Sequence, residues 1–243
     1  MNIVSYLLGK KGQYNGQDTA SYLLGKNAGG GGGILPEGYK QVKYIQSDGT
    51  QRIDTGISPN DNYYGFKAKF NITEPTGDWN LMNMGSSTVD RNRFGFGGYF
   101  PESGTTQWQI GYIRGMNSFY SFVKVENPQM ETYTDYEVEY NYNGNRDCKL
   151  NDEIIASNIP TGTNVVAYTN HWNIFCQAYK KTTFARFMTG RLYYMKIYLN
   201  ETLLRDFIPC YRKSDNVVGL YDMVNDVFYE KATGNNFIAG PSV

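Results

Sequence analysis

TGRLYYMKIYLNETLLRDFIPCYR, residues 189–212, alternates apolar and polar side chains. Tyr193, Met195, Ile197 and Leu199 fall on one side; Tyr194, Lys196, Tyr198 and Asn200 fall on the other. A period of two is the mark of a strand with one dry face and one wet face. Asn200-Glu201-Thr202 carries turn chemistry, and Leu203 to Ile208 reads as the returning strand. Pro209, with no N–H to donate, is expected to stop the ladder. A hairpin with an apolar inner face therefore anchors the C-terminal half, and the remaining strands must cover that face.

Outward from this hairpin the same signal recurs. Tyr64, Phe66, Ala68, Phe70 and Ile72 alternate with Lys67, Lys69 and Asn71. Tyr136, Val138, Tyr140 and Tyr142 alternate with Asp135, Glu137, Glu139 and Asn141, and Asn143-Gly144 then gives a two-residue hairpin turn. Leu35 to Tyr39 is an opening turn, Val42 to Ile45 begins a strand, and Gln51 to Ile57 returns after Ser47-Asp48-Gly49-Thr50. Further strands are expected over 79–84, 93–100, 108–114, 119–125, 148–156, 164–168, 173–179, 185–188, 217–221, 227–229 and 237–239. Gly95, Gly97 and Gly98 point to bulges or close backbone approach. No stretch carries a capped period of 3.6. So many short strands predict an all-β, two-sheet sandwich.

Bulk properties narrow the function. Lys plus Arg and Asp plus Glu are both 23, so there is no basic field for nucleic acid or anionic lipid. No apolar run approaches the about 20 residues of a membrane span. No basic flank and apolar core mark a secretory signal, which predicts use without general export. Cys148, Cys176 and Cys210 lack CxxC spacing and read as buried reduced thiols rather than a metal cluster or disulfide framework. The 22 tyrosines suit half-exposed sheet faces, where the ring packs and the hydroxyl stays wet.

Residues 1–33 are of another kind. Ser5-Tyr6-Leu7-Leu8-Gly9-Lys10 recurs as Ser21-Tyr22-Leu23-Leu24-Gly25-Lys26, and Gly29 to Gly33 follow as a flexible tether. A short isolated tail is ordinarily disordered. The duplication favours a bivalent docking arm instead, in which Tyr6, Leu7, Leu8 and Tyr22, Leu23, Leu24 each fill a pocket on a partner. The expected organisation is an arm at 1–28, a tether at 29–33 and one domain at 34–243.

The order of motifs resembles the concanavalin A-like lectin and laminin-G jelly roll of tailed-bacteriophage virion proteins. Tyr44-Ile45-Gln46-Ser47-Asp48-Gly49-Thr50-Gln51-Arg52-Ile53-Asp54-Thr55-Gly56 looks like the opening hairpin of such domains. Tyr136 to Ile155 is similar to the strand-turn-strand where laminin-G-like domains carry an Asp-Gly turn, here Asn151-Asp152. Gly190 to Arg212 with Val218-Gly219-Leu220-Tyr221-Asp222 is similar to the closing strands, and the Tyr-Leu-Leu-Gly-Lys arm looks like the N-terminus of the phage proteins. The resemblance implies a structural protein on the virion surface, at tail, baseplate or capsid. Its arm would contact other virion proteins and its domain would contact host glycans, as part of a homo-oligomer. The alternative is decoration without a glycan ligand. The resemblance also implies that calcium, bound by loop acids in some relatives, stays open, since no clear motif for it stands here.

For sugar stacking the candidate rings are Trp79, Tyr99, Trp108, Tyr112, Trp172 and Tyr179, with Arg91-Asn92-Arg93 and Arg114 nearby to favour an acidic glycan. Core packing competes for each Trp. Asp135, Glu137 and Glu139 raise the question of a glycosidase, because alternate strand residues lie about 7 Å apart, near the carboxylate separation such chemistry uses. A solvated outer face is the favoured reading of these acids, since the apolar rings take the other side. His171 is the one histidine, which removes two-histidine metal sites and leaves a Ser-His-Asp machine resting on a single residue. The reading is of a protein that binds rather than transforms.

Overall fold

The computed structural model describes residues 13–14, 17–18, 35–58, 64–74, 77–85, 93–100, 105–113, 122–141, 147–159, 171–180 and 183–243. The chain divides into two compact units, Met1–Pro36 and Glu37–Val243. In the first, β1 (Gln13–Tyr14) pairs antiparallel with β2 (Gln17–Asp18). The anchor residues Tyr6, Leu7, Leu8, Tyr22, Leu23 and Leu24 and the glycine tether lie outside the described residues.

The second unit runs β3 (Tyr39–Gln41), β4 (Ile45–Asp48), β5 (Ile53–Asp54), β6 (Tyr64–Ile72), β7 (Asp78–Gly85), β8 (Arg93–Tyr99), β9 (Gln107–Ile113) and β10 (Phe122–Val125). It continues with β11 (Tyr136–Asn141), β12 (Asp147–Leu150), β13 (Glu153–Ala156), β14 (Asn173–Ile174), β15 (Gln177–Lys180) and β16 (Thr183–Ala185). The last strands are β17 (Thr189–Leu199), β18 (Thr202–Arg212), β19 (Val218–Asp222), β20 (Val227–Glu230) and β21 (Ile238–Ala239). Among the described residues there is no helix. The unit is an all-β jelly-roll sandwich. Its smaller sheet has the order β10-β9-β8-β7-β14-β5. Its larger sheet runs β13-β12-β11-β6-β17-β18-β19-β20, with β4, β21 and β3 joined beside β17 and β18.

The alternating strands explain the layers. On β6, Phe66, Ala68, Phe70 and Ile72 are buried, and across the ladder Tyr140, Val138 and Tyr136 of β11 stand opposite Phe66, Ala68 and Phe70. On the other side of β6, Ile197, Met195 and Leu192 of β17 meet the same three residues. The smaller sheet faces this layer with Trp79, Met82, Phe96, Trp108 and Ile110, all buried. Phe70 reaches across to Trp79, with ring centroids 5.9 Å apart, and Phe66 reaches Phe96 at 6.1 Å. Each fully buried aliphatic or aromatic side chain of this kind contributes roughly 1.5–3 kcal/mol of transfer free energy.

Two turns obey simple backbone chemistry. Asn151-Asp152 and Asn200-Glu201 each place both central residues at positive φ, 51° and 67° in the first and 47° and 63° in the second. That is the type I′ pattern, which matches the twist of the flanking strands. Thr202, read from sequence as part of its turn, is the first residue of β18. The Asn143-Gly144 turn lies outside the described residues, although β11 and β12 on either side of it pair as expected. The strand expected at 164–168 also lies outside them.

Two expectations about the anchoring hairpin are corrected. Tyr193 does not face the core. A bulge between Leu192 and Tyr194 in the pairing with β6 shifts the parity, so Leu192 points inward beside Met195 and Ile197 while Tyr193 reaches polar partners. Pro209 does not end its strand either: β18 continues to Arg212, with Pro209 opposite Leu220. The Pro209 carbonyl accepts from Val42 N at 3.0 Å, and N and O of one strand residue point the same way. The missing donor therefore falls at the seam where pairing with β17 ends at Phe207 and pairing with β3 begins at Cys210.

The three cysteines are buried and free, as read from sequence, and burial pushes the Cys176 and Cys210 thiols up to about 12. Ile197 is fully buried. Ile197→Asp is expected to abolish cooperative thermal unfolding, because an unpaired charge in this layer costs several kcal/mol. An unchanged melting temperature for that variant would mean that the strand faces are reversed.

Candidate functional site

The outer face of the larger sheet gathers charged and polar side chains. It is built by β12, β11, β6, β17, β18 and β4, whose inward residues form the core and whose outward residues are left together. Register places Glu139 beside Lys149 and Lys67, and Lys67 beside Lys196, which itself stands opposite Asp206. Lys67 Nζ is 2.6 Å from Glu137 Oε1 and 3.8 Å from Glu139 Oε2, Lys149 Nζ is 3.6 Å from Glu139 Oε1, and Lys196 Nζ is 3.1 Å from Asp206 Oδ2. This is a band of mixed charge, half-exposed at Lys149, Glu139 and Lys67 and closed at one end by the buried Asp206. Each exposed pair is worth about 0–1 kcal/mol. Glu137 and Glu139 are thus on the wet face, as read from sequence, and so is Asp135, 3.4 Å from Lys69 Nζ.

Next to the ionic band lies a corner of a different composition. Asn71 of β6, Arg191 of β17 and Gln46 of β4 form one row across three strands. Arg191 Nε donates to Gln46 Oε1 at 2.9 Å, and its guanidinium carbon sits 4.6 Å from the centre of the Tyr44 ring. Tyr44 meets Tyr193 edge-on at 5.6 Å. The Tyr193 hydroxyl donates to Asp135 Oδ1 at 2.7 Å and accepts from Asn71 Nδ2 at 3.0 Å, while Lys69 Nζ stands 5.3 Å from the Tyr193 ring and 3.4 Å from Asp135 Oδ2. Gly240 lets the C-terminal strand approach: a Cβ there would lie 2.9 Å from the Tyr44 ring. Ile238, 55% exposed, pairs with Gln46 and supplies an apolar margin. Phenol hydroxyls, amides, a carboxylate and cations thus converge in one place, with donors and acceptors interleaved.

The electrostatics are those of ionised, not proton-donating, acids. The hydrogen bond from Lys67 holds Glu137 below its ordinary 4.5, against a smaller opposing effect of burial. Burial alone would raise Asp135, but hydrogen bonds from Tyr193, Asn71 and Lys69 together bring it below its ordinary 3.8. A glycosidase acid needs a pKa raised toward neutrality, and these two are moved the other way. Burial, and then the bond to Asp135, pushes the Tyr193 hydroxyl up to about 12, so it stays protonated as a donor.

The three tryptophans expected from sequence to stack on a sugar are core residues. Trp79, Trp108 and Trp172 are buried at 1%, 0% and 0% exposure, so none offers a face to a solute. Trp108 packs on Tyr136 at 4.9 Å and donates to the Pro128 carbonyl, and Trp172 meets Tyr64 at 5.5 Å. Tyr99, at the end of β8, is 37% exposed. Tyr112 and Tyr179 fall in β9 and β15, with side chains outside the described residues, as does the side chain of Arg93. Arg91, Asn92 and Arg114 lie outside the described residues altogether. His171 Nδ1 sits 2.7 Å from Asp54 Oδ1 at the edge of the smaller sheet. Among the described residues no group of three or more His, Cys, Asp or Glu is arranged to hold a metal ion.

Three solved structures are similar to this one. A protein from Bacteroides ovatus ATCC 8483, described as a candidate carbohydrate-binding protein, matches 84% of this chain and 62% of its own at a TM-score of 0.51 and 12% identity. The fold is shared. The CBM40 domain of the Ruminococcus gnavus IT-sialidase covers 68% of this chain and 92% of that one, with a TM-score of 0.48 and 14% identity. The leech intramolecular trans-sialidase covers 68% of this chain and 26% of that one, with a TM-score of 0.45 and 15% identity. No family model matches the sequence, and no curated protein matches it. The sandwich implied by the resemblance read from sequence is therefore the sandwich observed.

Sequence reasoning missed the corner of Tyr44, Gln46, Asn71, Arg191 and Tyr193. The one available signal was that Tyr44 and Gln46 belong to the motif that carried the resemblance. Because Asp135 and Glu137 bind protons less tightly folded than unfolded, their stabilisation is full above the ordinary carboxylate values and is lost as pH falls through the lowered ones. The urea midpoint is expected to fall between about pH 5 and pH 3, and Glu137→Gln to flatten that fall; equal slopes for both proteins would show that the Lys67 pair contributes nothing.

Proposed function

We propose that the domain is a non-catalytic glycan-binding module, displayed on a bacteriophage virion by the N-terminal arm. The observation that carries the binding reading is the corner at Tyr44, Arg191 and Tyr193. Sugars present rows of hydroxyls that donate and accept, and this corner sets amides, a phenol, a carboxylate and cations within hydrogen-bonding distance of one another on the half-buried outer side of the sheet. The description of the Bacteroides ovatus neighbour as a candidate carbohydrate-binding protein agrees with it.

The virion setting is supported by the duplicated Tyr-Leu-Leu-Gly-Lys segment and the glycine run after it, the pattern of a two-point attachment on a tether. The arm would dock on other virion proteins, and the copy number would follow the symmetry of the particle. A second reading, decoration without a glycan, is favoured by one observation: Glu137, Glu139 and Asp135 are each already in contact with a lysine.

A glycan array with the full chain separates the two. Specific binding that weakens about tenfold or more in Tyr193→Phe, through loss of one shared hydroxyl, is the expected result; an array with no bound glycan would leave decoration. The arm is tested by particle assembly. A chain beginning at Ile34 is expected to fold and yet to be missing from purified virions, and its full incorporation would exclude the arm as anchor.

A further inference from the structure

We infer that the glycan taken by this face carries an oxyanion, a carboxylate or a sulfate, and that Arg191 is the residue that binds it. The inference rests on the glycan-binding reading of the same face and adds the substrate class.

The argument is one of charge pairing. Lys67, Lys69, Lys149 and Lys196, the other cations of this face discussed above, each have a carboxylate within 4 Å. Among the described residues Arg191 has none. It is nevertheless held in place. Nε is bonded to Gln46, and the guanidinium carbon sits 4.6 Å from the centre of the Tyr44 ring, which in turn meets the Tyr193 ring that Asn71 and Asp135 fix. Arg191 is half-buried between these groups rather than waving in solvent. A guanidinium carries five N–H donors in a rigid fork, and with Nε engaged by Gln46 the terminal N–H groups are left to meet an acceptor. A planar, pre-oriented fork without a counter-ion is matched by the two oxygens of a carboxylate or a face of a sulfate. Restricting its rotamers beforehand lowers the entropic cost of binding. A purely structural brace would leave the charge with no bearing on ligand choice.

The test uses the full chain and matched immobilised probes: an oligogalacturonate and its methyl ester, and a sulfated galactan and its desulfated form. Each pair keeps one sugar skeleton: esterification caps the carboxylate with a methyl group, and desulfation leaves a hydroxyl in place of the sulfate. The wild-type chain is expected to bind the acid form of at least one pair about tenfold more tightly than its neutral partner. Arg191→Gln is expected to bring that ratio to about one while the domain still unfolds cooperatively, whereas Lys149→Gln, which removes a half-exposed and already paired cation, leaves the ratio as it is. The pair that shows the preference tells carboxylate from sulfate. Equal binding of charged and neutral partners by the wild type, or a preference that survives Arg191→Gln, would overturn the inference while leaving glycan binding intact. Failure of the wild type to bind any of the four probes, together with an empty array of neutral glycans, would overturn both.

Discussion

The structure depends on the three-way pairing of one strand. β17 is hydrogen-bonded to β6 along nearly its whole length, to β18 over its second half and to β4 over its first. It is the strand from which the larger sheet is assembled, and residues far apart in sequence reach the same ladder through it. Its inward side chains Leu192, Met195 and Ile197 are completely buried, and they lie over the same three positions of β6 that β11 covers from the other side. Burial on one face and backbone satisfaction on both edges fix its register, since a slip by one residue would turn every apolar group outward.

The aromatic residues divide between two tasks for a physical reason. A sandwich core about 10 Å thick must be filled from both inner faces, and large rings fill it with few residues. Trp79, Trp108, Phe96, Phe66, Phe70 and Tyr136 form one contiguous cluster of edge-to-face and tilted ring contacts across the two sheets. Tyrosine, with its polar end, is the ring left for the wet face, where Tyr44 and Tyr193 pack on cations and on each other. Indole rings are spent on cohesion, and phenol rings are placed where their hydroxyls can be met.

The wet face is organised by register rather than by strong bonds. Its ion pairs are individually weak, and each lies between side chains already brought together by the ladder. Two zones result. In one, charges of both signs neutralise each other along Lys149, Glu139, Lys67, Lys196 and Asp206. In the other, neutral donors and acceptors hold a guanidinium without giving it a counter-ion. Proximity on the sheet is common to both zones; what separates them is which residue types β4 brings up against β17.

The sequence by itself determined the class of fold and the sidedness of most strands. Alternation on β6 and β11 assigned Phe66, Phe70, Tyr136 and Val138 to the core and Lys67, Lys69, Glu137 and Glu139 to solvent, because a period of two leaves no other arrangement for a half-buried strand. It also found the turn at Asn151-Asp152 and the buried thiols, both local matters of φ and polarity. It did not find the parity of Tyr193, which a single bulge reversed, nor the passage of β18 through Pro209, which depends on a neighbour ending there. Nor could it tell a core indole from a surface one, since Trp79 and Trp108 alternate like any strand residue, and which sheet face is covered is a property of two layers. The corner of Tyr44, Asn71, Asp135 and Arg191 was decided only by the tertiary structure: its members come from different strands and a loop, and nothing local to any of them states which strand lies alongside.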